Sequence, residues 1–84
     1  MRFYFITFRS VTFAQRAEKQ LNQSSYRVSL LRTPRWMEEQ GCGYALKLWS
    51  GDLPAAVQLL QDARIQLRRI YAQREDGHLE EVTL

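Results

Sequence analysis

The sequence has little of the two residue types that staple small domains or bind metals in them. It contains a single cysteine, Cys42, and a single histidine, His78, among 84 residues. One cysteine cannot form an intramolecular disulfide, so the class of disulfide-stapled secreted domains is excluded. A Cys/His zinc site needs four nitrogen or sulfur ligands and is excluded as well. We therefore expect no metal and no cofactor, and a reducing, cytoplasmic location.

Long hydrophobic runs are also missing. No apolar stretch approaches the roughly 18–20 residues that cross a bilayer, and the opening MRFYFITF is too short and too strand-like for a signal peptide. We expect no membrane partner. A chain of 84 residues holds one two-layer core, which excludes a multidomain enzyme with its own dinucleotide site.

Charge is distributed unevenly along the chain. Residues 1–72 carry a net charge of +6 and residues 73–84 carry −3. Ten of the twelve basic residues are arginines, which bind anions bidentately. An arginine-rich surface can bind an acidic partner, or its charges can simply be solvated. We interpret residues 1–72 as the folded domain and residues 73–84 as a polar acidic tail that is mobile or weakly docked.

Hydrophobic periodicity predicts two helices and four strands. The first strand has apolar residues in both alternating sets, which predicts a central strand covered on both faces. The first helix is expected to place Glu18 and Lys19 on its far side. The predicted elements are a strand over 2–8, a helix capped by Ser10 or Thr12 and ended by 22–25, a strand over 26–31, a strand over 44–49, a helix capped by Asp52 with Pro54 in its first turn, and a strand over 65–71.

The order βαββαβ indicates an α+β, ferredoxin-like fold. It consists of a four-stranded antiparallel sheet with two helices on one face. Right-handed crossovers then place the first and third strands in the centre and the second and fourth at the edges.

The segment 32–43 has no sustained period and is predicted to be a long loop. Within it, Cys42 stands between Gly41 and Gly43, so backbone N–H groups can approach the sulfur. With Arg35 as a nearby cation, these donors would favour the thiolate, the form that accepts sulfur or selenium. The alternative is that Cys42 is a small apolar residue buried under the strand start.

Two large residues of the same segment, Trp36 and Met37, have two open interpretations. Exposed tryptophan is frequent at interfaces, so the pair can anchor a partner protein. It can equally fold back and plug the loop. We take Trp36 and Met37 as candidate partner-binding residues.

At this point the chain resembles a known family, the putative Se/S carrier protein-like domains. The resemblance spans about residues 3–72. It rests on four short motifs in order, namely Phe8…Ala14…Arg16-Ala17-Glu18-Lys19-Leu21, Thr33-Pro34-Arg35, Gly41-Cys42-Gly43 leading into a strand, and the closing Ile70-Tyr71.

The resemblance implies a function for the loop cysteine. Cys42 would be a carrier thiol that holds a persulfide or selenopersulfide. Its partners would be a cysteine desulfurase-type donor and other proteins of sulfur or selenium relay. Such a protein is a covalent carrier and not a turnover enzyme.

A different class, a non-catalytic binding or regulatory module with a structural cysteine, stays open. A nucleic-acid surface would need Arg2, Arg27, Arg68 and Arg69 beside Tyr4 or Tyr44. The third strand lacks the Lys/Arg-Gly-Phe-Gly-Phe pattern of RNA-recognition domains. We therefore do not expect a nucleic-acid partner, and we expect these aromatics to be core or sheet cover. Edge strands pair readily, so a homodimer fits either function.

Overall fold

The computed structural model describes residues 3–32, 43–49, 53–74 and 76–82. These residues form two helices and five strands. In chain order the elements are β1 (Phe3–Thr7), α1 (Val11–Gln23), β2 (Val28–Arg32), β3 (Tyr44–Trp49), α2 (Leu53–Asp62), β4 (Arg69–Gln73) and β5 (Leu79–Val82).

The five strands form one antiparallel sheet in the order β2-β3-β1-β4-β5. At its centre Ile6 of β1 lies opposite Leu46 of β3 on one side and Ile70 of β4 on the other. The α+β class, the two helices and the antiparallel sheet are confirmed. The prediction of four strands is wrong, and so is the position of the fourth strand at the edge.

The additional strand, β5, comes from the segment interpreted as an acidic tail. Its sequence LEEV has no clear strand pattern, because its two central residues are glutamates. It pairs with β4, with Tyr71 opposite Glu81. The turn before it contains Gly77 at φ 87°, a conformation that suits glycine. The boundary between a domain of residues 1–72 and a tail of residues 73–84 stays a prediction.

Helix α1 begins after Ser10, whose hydroxyl accepts a hydrogen bond from the Phe13 N–H at 3.2 Å. Of the two predicted caps, Ser10 is therefore the one used. The expectation that Glu18 lies on the far side of the helix is wrong. Its carboxylate is partly buried and accepts a hydrogen bond from the Leu30 N–H of β2 at 3.2 Å.

The boundaries of three predicted strands also move. Strand β1 ends at Thr7 and not at residue 8, and β4 ends at Gln73 and not at residue 71. Strand β2 covers Val28–Arg32 and not 26–31, so Arg32 belongs to the strand and not to the loop. The predicted strand over 65–71 begins only at Arg69, because Ile65 is buried and donates its N–H to the Leu60 carbonyl at the end of α2. Strand β3 begins and ends as predicted. The predicted cap Asp52 lies outside the described residues.

Both helices pack on the same face of the sheet, and the core lies between the two layers. On the sheet side of the core, no surface is exposed at Ile6 of β1, at Phe8 directly after β1, or at Leu46 and Leu48 of β3. They pack with the helix residues Ala14, Ala17, Leu21, Leu53, Ala56, Val57 and Leu60. Within the part of the chain that the structure describes, neither helix is long and apolar enough to span a membrane.

Candidate functional site

The structure describes one of the six residues predicted from the sequence to form the functional site. That residue is Gly43, directly before β3. The other five lie outside the described residues, and the predictions on them stay predictions: Arg35, Trp36, Met37, Gly41 and Cys42.

Gly43 adopts φ 83° and is buried at the bend that leads into β3. This left-handed backbone conformation favours glycine, because a Cβ atom would be strained there. The residue that follows Cys42 in the sequence therefore has a local structural reason to be glycine. That reason holds whatever Cys42 does.

The two strands that flank the segment 33–42 are held together at its base. Arg32, the last residue of β2, lies directly opposite Tyr44, the first residue of β3. The Arg32 guanidinium carbon lies 5.6 Å from the centre of the Tyr44 ring, within cation–π distance. The prediction from the sequence places Arg32 in the loop and therefore does not include its contact with Tyr44. A strand prediction extended by one residue would have placed it at the hairpin base.

The end of the sheet from which this segment leaves, the loop end, is rich in arginine. Thr7 ends β1 opposite the first residue of β4, Arg69, and its Oγ1 accepts a hydrogen bond from the Arg69 N–H at 3.0 Å. Arg68 donates its N–H to the Thr7 carbonyl at 2.7 Å. Arg9, two residues after β1, lies at this same end. So does Arg32, the last residue of β2. The cations come from separate stretches of sequence that the antiparallel pairing brings to one end.

One of these cations is left with an open hydrogen-bonding position. The Nη1 atom of Arg68 is buried and has no hydrogen-bond partner among the described residues. Arg68 lines one groove together with Gln61, Leu67, Arg69 and Glu81. A second groove opens at the loop end and is lined by Arg9, Gln61, Arg64, Ile65, Gln66 and Leu67. The positive charge at this end favours negatively charged species such as a thiolate or an acidic protein surface.

The aromatic residues considered for nucleic-acid binding lie elsewhere. Tyr4 and Tyr44 are partly buried and pack against the hydrophobic core on the helix face. This confirms the expectation that these two tyrosines are core or sheet cover.

Comparison with known proteins identifies the family of this chain. The family model described as putative Se/S carrier protein-like matches residues 3–72. The chain belongs to this family, which confirms the resemblance seen in the four motifs. Neither the curated proteins nor the solved structures give a significant match.

Proposed function

We propose that this protein is a sulfur or selenium carrier in which Cys42 holds the cargo atom as a persulfide or selenopersulfide. The observation that carries the proposal is membership of the Se/S carrier-like family across residues 3–72, a range that includes the only cysteine. The carrier unit is a ferredoxin-like arrangement of β1 to β4 with both helices, to which β5 is added, working in the cytoplasm.

The loading step needs a donor that already carries a persulfide, such as a cysteine desulfurase. The Cys42 thiolate attacks the terminal sulfur of the donor persulfide, and a new S–S bond forms on Cys42. The donor S–S bond breaks, and its electron pair leaves with the donor thiolate. No external oxidant or reductant is needed. For selenium the terminal atom is Se, and the corresponding bonds form and break.

The delivery step reverses these roles. A nucleophilic thiolate of the acceptor protein attacks the terminal atom on Cys42, and the Cys42 thiolate leaves. Loading and delivery both need a thiolate that partner proteins can reach. Glycine on each side of Cys42 supports this requirement, since Gly41 and Gly43 add no side chain that would shield the sulfur.

We assign Arg35 to stabilisation of the Cys42 thiolate, and we add Arg32 as a second candidate. Arg32 is exposed and lies opposite Tyr44, which is two residues after Cys42 in the sequence. A cation near the sulfur lowers the pKa of a thiol by favouring its charged form. Trp36 and Met37 are assigned to docking of the donor or acceptor.

The rate of alkylation of native Cys42 tests the site independently of any donor. A carrier thiol should react with iodoacetamide at a rate close to that of the same protein unfolded in denaturant. Slow alkylation that becomes fast only on unfolding would mean a buried, structural cysteine. That result would favour the alternative function, a non-catalytic binding module.

A further inference from the structure

The face of the sheet opposite the helices carries a cluster of aromatic rings and cations. Side chains alternate between the two faces of a strand, so Phe3 and Phe5 of β1 point away from the face that holds Ile6. In the pairing with β3, Phe3 lies opposite Trp49 and Phe5 lies opposite Lys47. We call Phe3, Phe5, Lys47 and Trp49, together with Arg27, the aromatic face.

The rings and cations of the aromatic face contact one another closely. The Phe3 and Trp49 rings meet edge to face, with centroids 5.9 Å apart and an interplanar angle of 90°. The Lys47 Nζ atom lies 4.2 Å from the centre of the Phe3 ring, 4.8 Å from that of Trp49 and 5.9 Å from that of Phe5. The Arg27 guanidinium carbon lies 5.2 Å from the centre of the Trp49 ring.

These side chains remain accessible. Phe3, Phe5, Lys47 and Trp49 each keep part of their surface exposed, and Arg27 is exposed. Both helices pack on the other face. Among the described residues of this face the acidic side chain is Glu81 of the edge strand β5, which lies two strands away from Phe5 and pairs with Arg69 at 3.5 Å. The aromatic face is therefore positively charged as well as aromatic.

The position of Lys47 limits what can dock here. Lysine is depleted in the centre of ordinary protein–protein interfaces, yet Lys47 lies among three rings in the middle of this surface. A second copy docking through the same face by two-fold symmetry would bring the Lys47 and Arg27 side chains of both copies into one interface. Like charges facing each other disfavour that dimer.

We propose that the aromatic face binds single-stranded nucleic acid. Its bases offer flat π surfaces that stack on aromatic side chains, and its phosphates supply the negative charge that Lys47 and Arg27 need. Phe3 is the first residue of β1 and Trp49 is the last residue of β3. This surface therefore reaches the end of the sheet opposite the loop end. It is thus separate from the proposed carrier thiol and does not depend on it.

Binding can be measured by fluorescence anisotropy of labelled RNA and DNA single strands of about 12 nucleotides, with a duplex of the same length as a comparison. Lys47→Gln removes the central cation, and its matched control is Lys19→Gln, which removes the chain's other lysine from the exposed side of α1. The pair Phe3→Leu and Phe5→Leu removes stacking rings. Its control is Phe13→Leu, a partly buried phenylalanine that packs on the helix side.

The proposal expects single strands to bind more tightly than the duplex. The Phe3→Leu, Phe5→Leu variant should weaken binding roughly tenfold or more, since a base–aromatic stack contributes about that much. Lys47→Gln should weaken binding severalfold at low salt, because it removes one phosphate contact. Lys47→Gln should also reduce the slope of log affinity against log salt by about 0.7, the value for one phosphate contact on a single strand. Lys19→Gln and Phe13→Leu should leave affinity and slope unchanged.

Four results would overturn the proposal. One is the absence of single-strand binding at low salt by the folded wild-type protein, which needs no variant to interpret. A second is equal weakening by Lys19→Gln and Lys47→Gln, which would reduce the binding to general charge attraction. The third is equal affinity for the duplex, because paired bases are not available for stacking. A protein partner on this face without single-strand binding would overturn it too.

Discussion

The carboxylate of Glu18 accepts a hydrogen bond from the Leu30 backbone N–H at 3.2 Å, which joins α1 to the edge strand β2. The N–H groups on the outer side of an edge strand are the groups through which another strand can pair. Glu18 occupies one of them. A helix side chain thus blocks part of the edge through which the chain could form a homodimer.

Replacing Glu18 tests this contact. Glu18→Ala leaves the Leu30 N–H without its carboxylate acceptor, and we expect the free energy of unfolding to fall by about 1 kcal/mol. Self-association at high protein concentration should rise, as measured by sedimentation. Lys19→Ala, one position along the same helix, is the control and should change neither. Equal behaviour of the two variants would show that the Glu18 contact contributes nothing.

The helix cap gives a second prediction. Ser10→Ala should lower the free energy of unfolding by about 1 kcal/mol, because the Phe13 N–H loses its acceptor. Ser10→Asp should restore most of that loss. Thr12→Ala, at an exposed position inside α1, should have a smaller effect in chemical denaturation. A larger loss for Thr12→Ala would contradict the assignment of the cap.

Gly43 provides a third prediction about the residue beside the cysteine. Gly43→Ala should lower the free energy of unfolding by about 1 kcal/mol or more, since alanine is strained at φ 83°. Gly77→Ala is the matched control. Its φ is 87°, and an added Cβ would meet nothing within 4 Å, so it reports backbone strain alone. No loss of stability in Gly43→Ala would contradict the described bend.

The fifth strand gives a fourth prediction. Removing residues 74–84 should lower the free energy of unfolding by about 2 kcal/mol, because β4 loses its hydrogen-bonded neighbour and Val82 no longer covers the core. Glu80→Gln removes only the exposed ion pair with Arg74, which has a 2.7 Å separation, and should cost under about 0.5 kcal/mol. A truncation without effect would support the prediction of a weakly docked tail.

The proposed cations give the fifth prediction, on the pH dependence of alkylation. A positive charge near the sulfur lowers the thiol pKa, so Arg35→Gln should raise it and move the midpoint of the alkylation profile to higher pH. Arg32→Gln should do the same to a smaller degree. Arg16→Gln, on the exposed side of α1, should leave the midpoint unchanged. An unchanged midpoint in Arg35→Gln and Arg32→Gln would remove both from the mechanism.

The sequence predicted the strongly patterned elements well. Strand β3 has clear alternation, and the buried stripe of α1, with Ala14, Ala17 and Leu21, has clear helical spacing. Strand β5 was missed because its pairing with β4 is a long-range effect that a four-residue LEEV segment does not signal. The Asp76-Gly77 dipeptide before it was the available turn signal. Glu18 was misplaced because helical periodicity alone does not show that a strand edge needs an acceptor.

The candidate functional residues also differ in whether the sequence alone can reveal them. The Gly41-Cys42-Gly43 motif is visible in the sequence as a local pattern, and it lies within the residues 3–72 that the family model matches. The aromatic face was not visible. Both alternating sets of β1 are apolar, and only the register with β3 shows that Phe3 and Phe5 share a face with Lys47 and Trp49. The expectation that both faces of β1 are covered misses the exposed part of these two phenylalanines.

Intact-mass measurement shows whether Cys42 carries sulfur or selenium. The reduced protein is incubated with a cysteine desulfurase and cysteine, beside a Cys42→Ser control of unchanged fold. The carrier account predicts a gain of one sulfur atom in the wild-type protein alone, reversed by a thiol reductant. No gain in wild type, under conditions in which the desulfurase itself forms its persulfide, would contradict it.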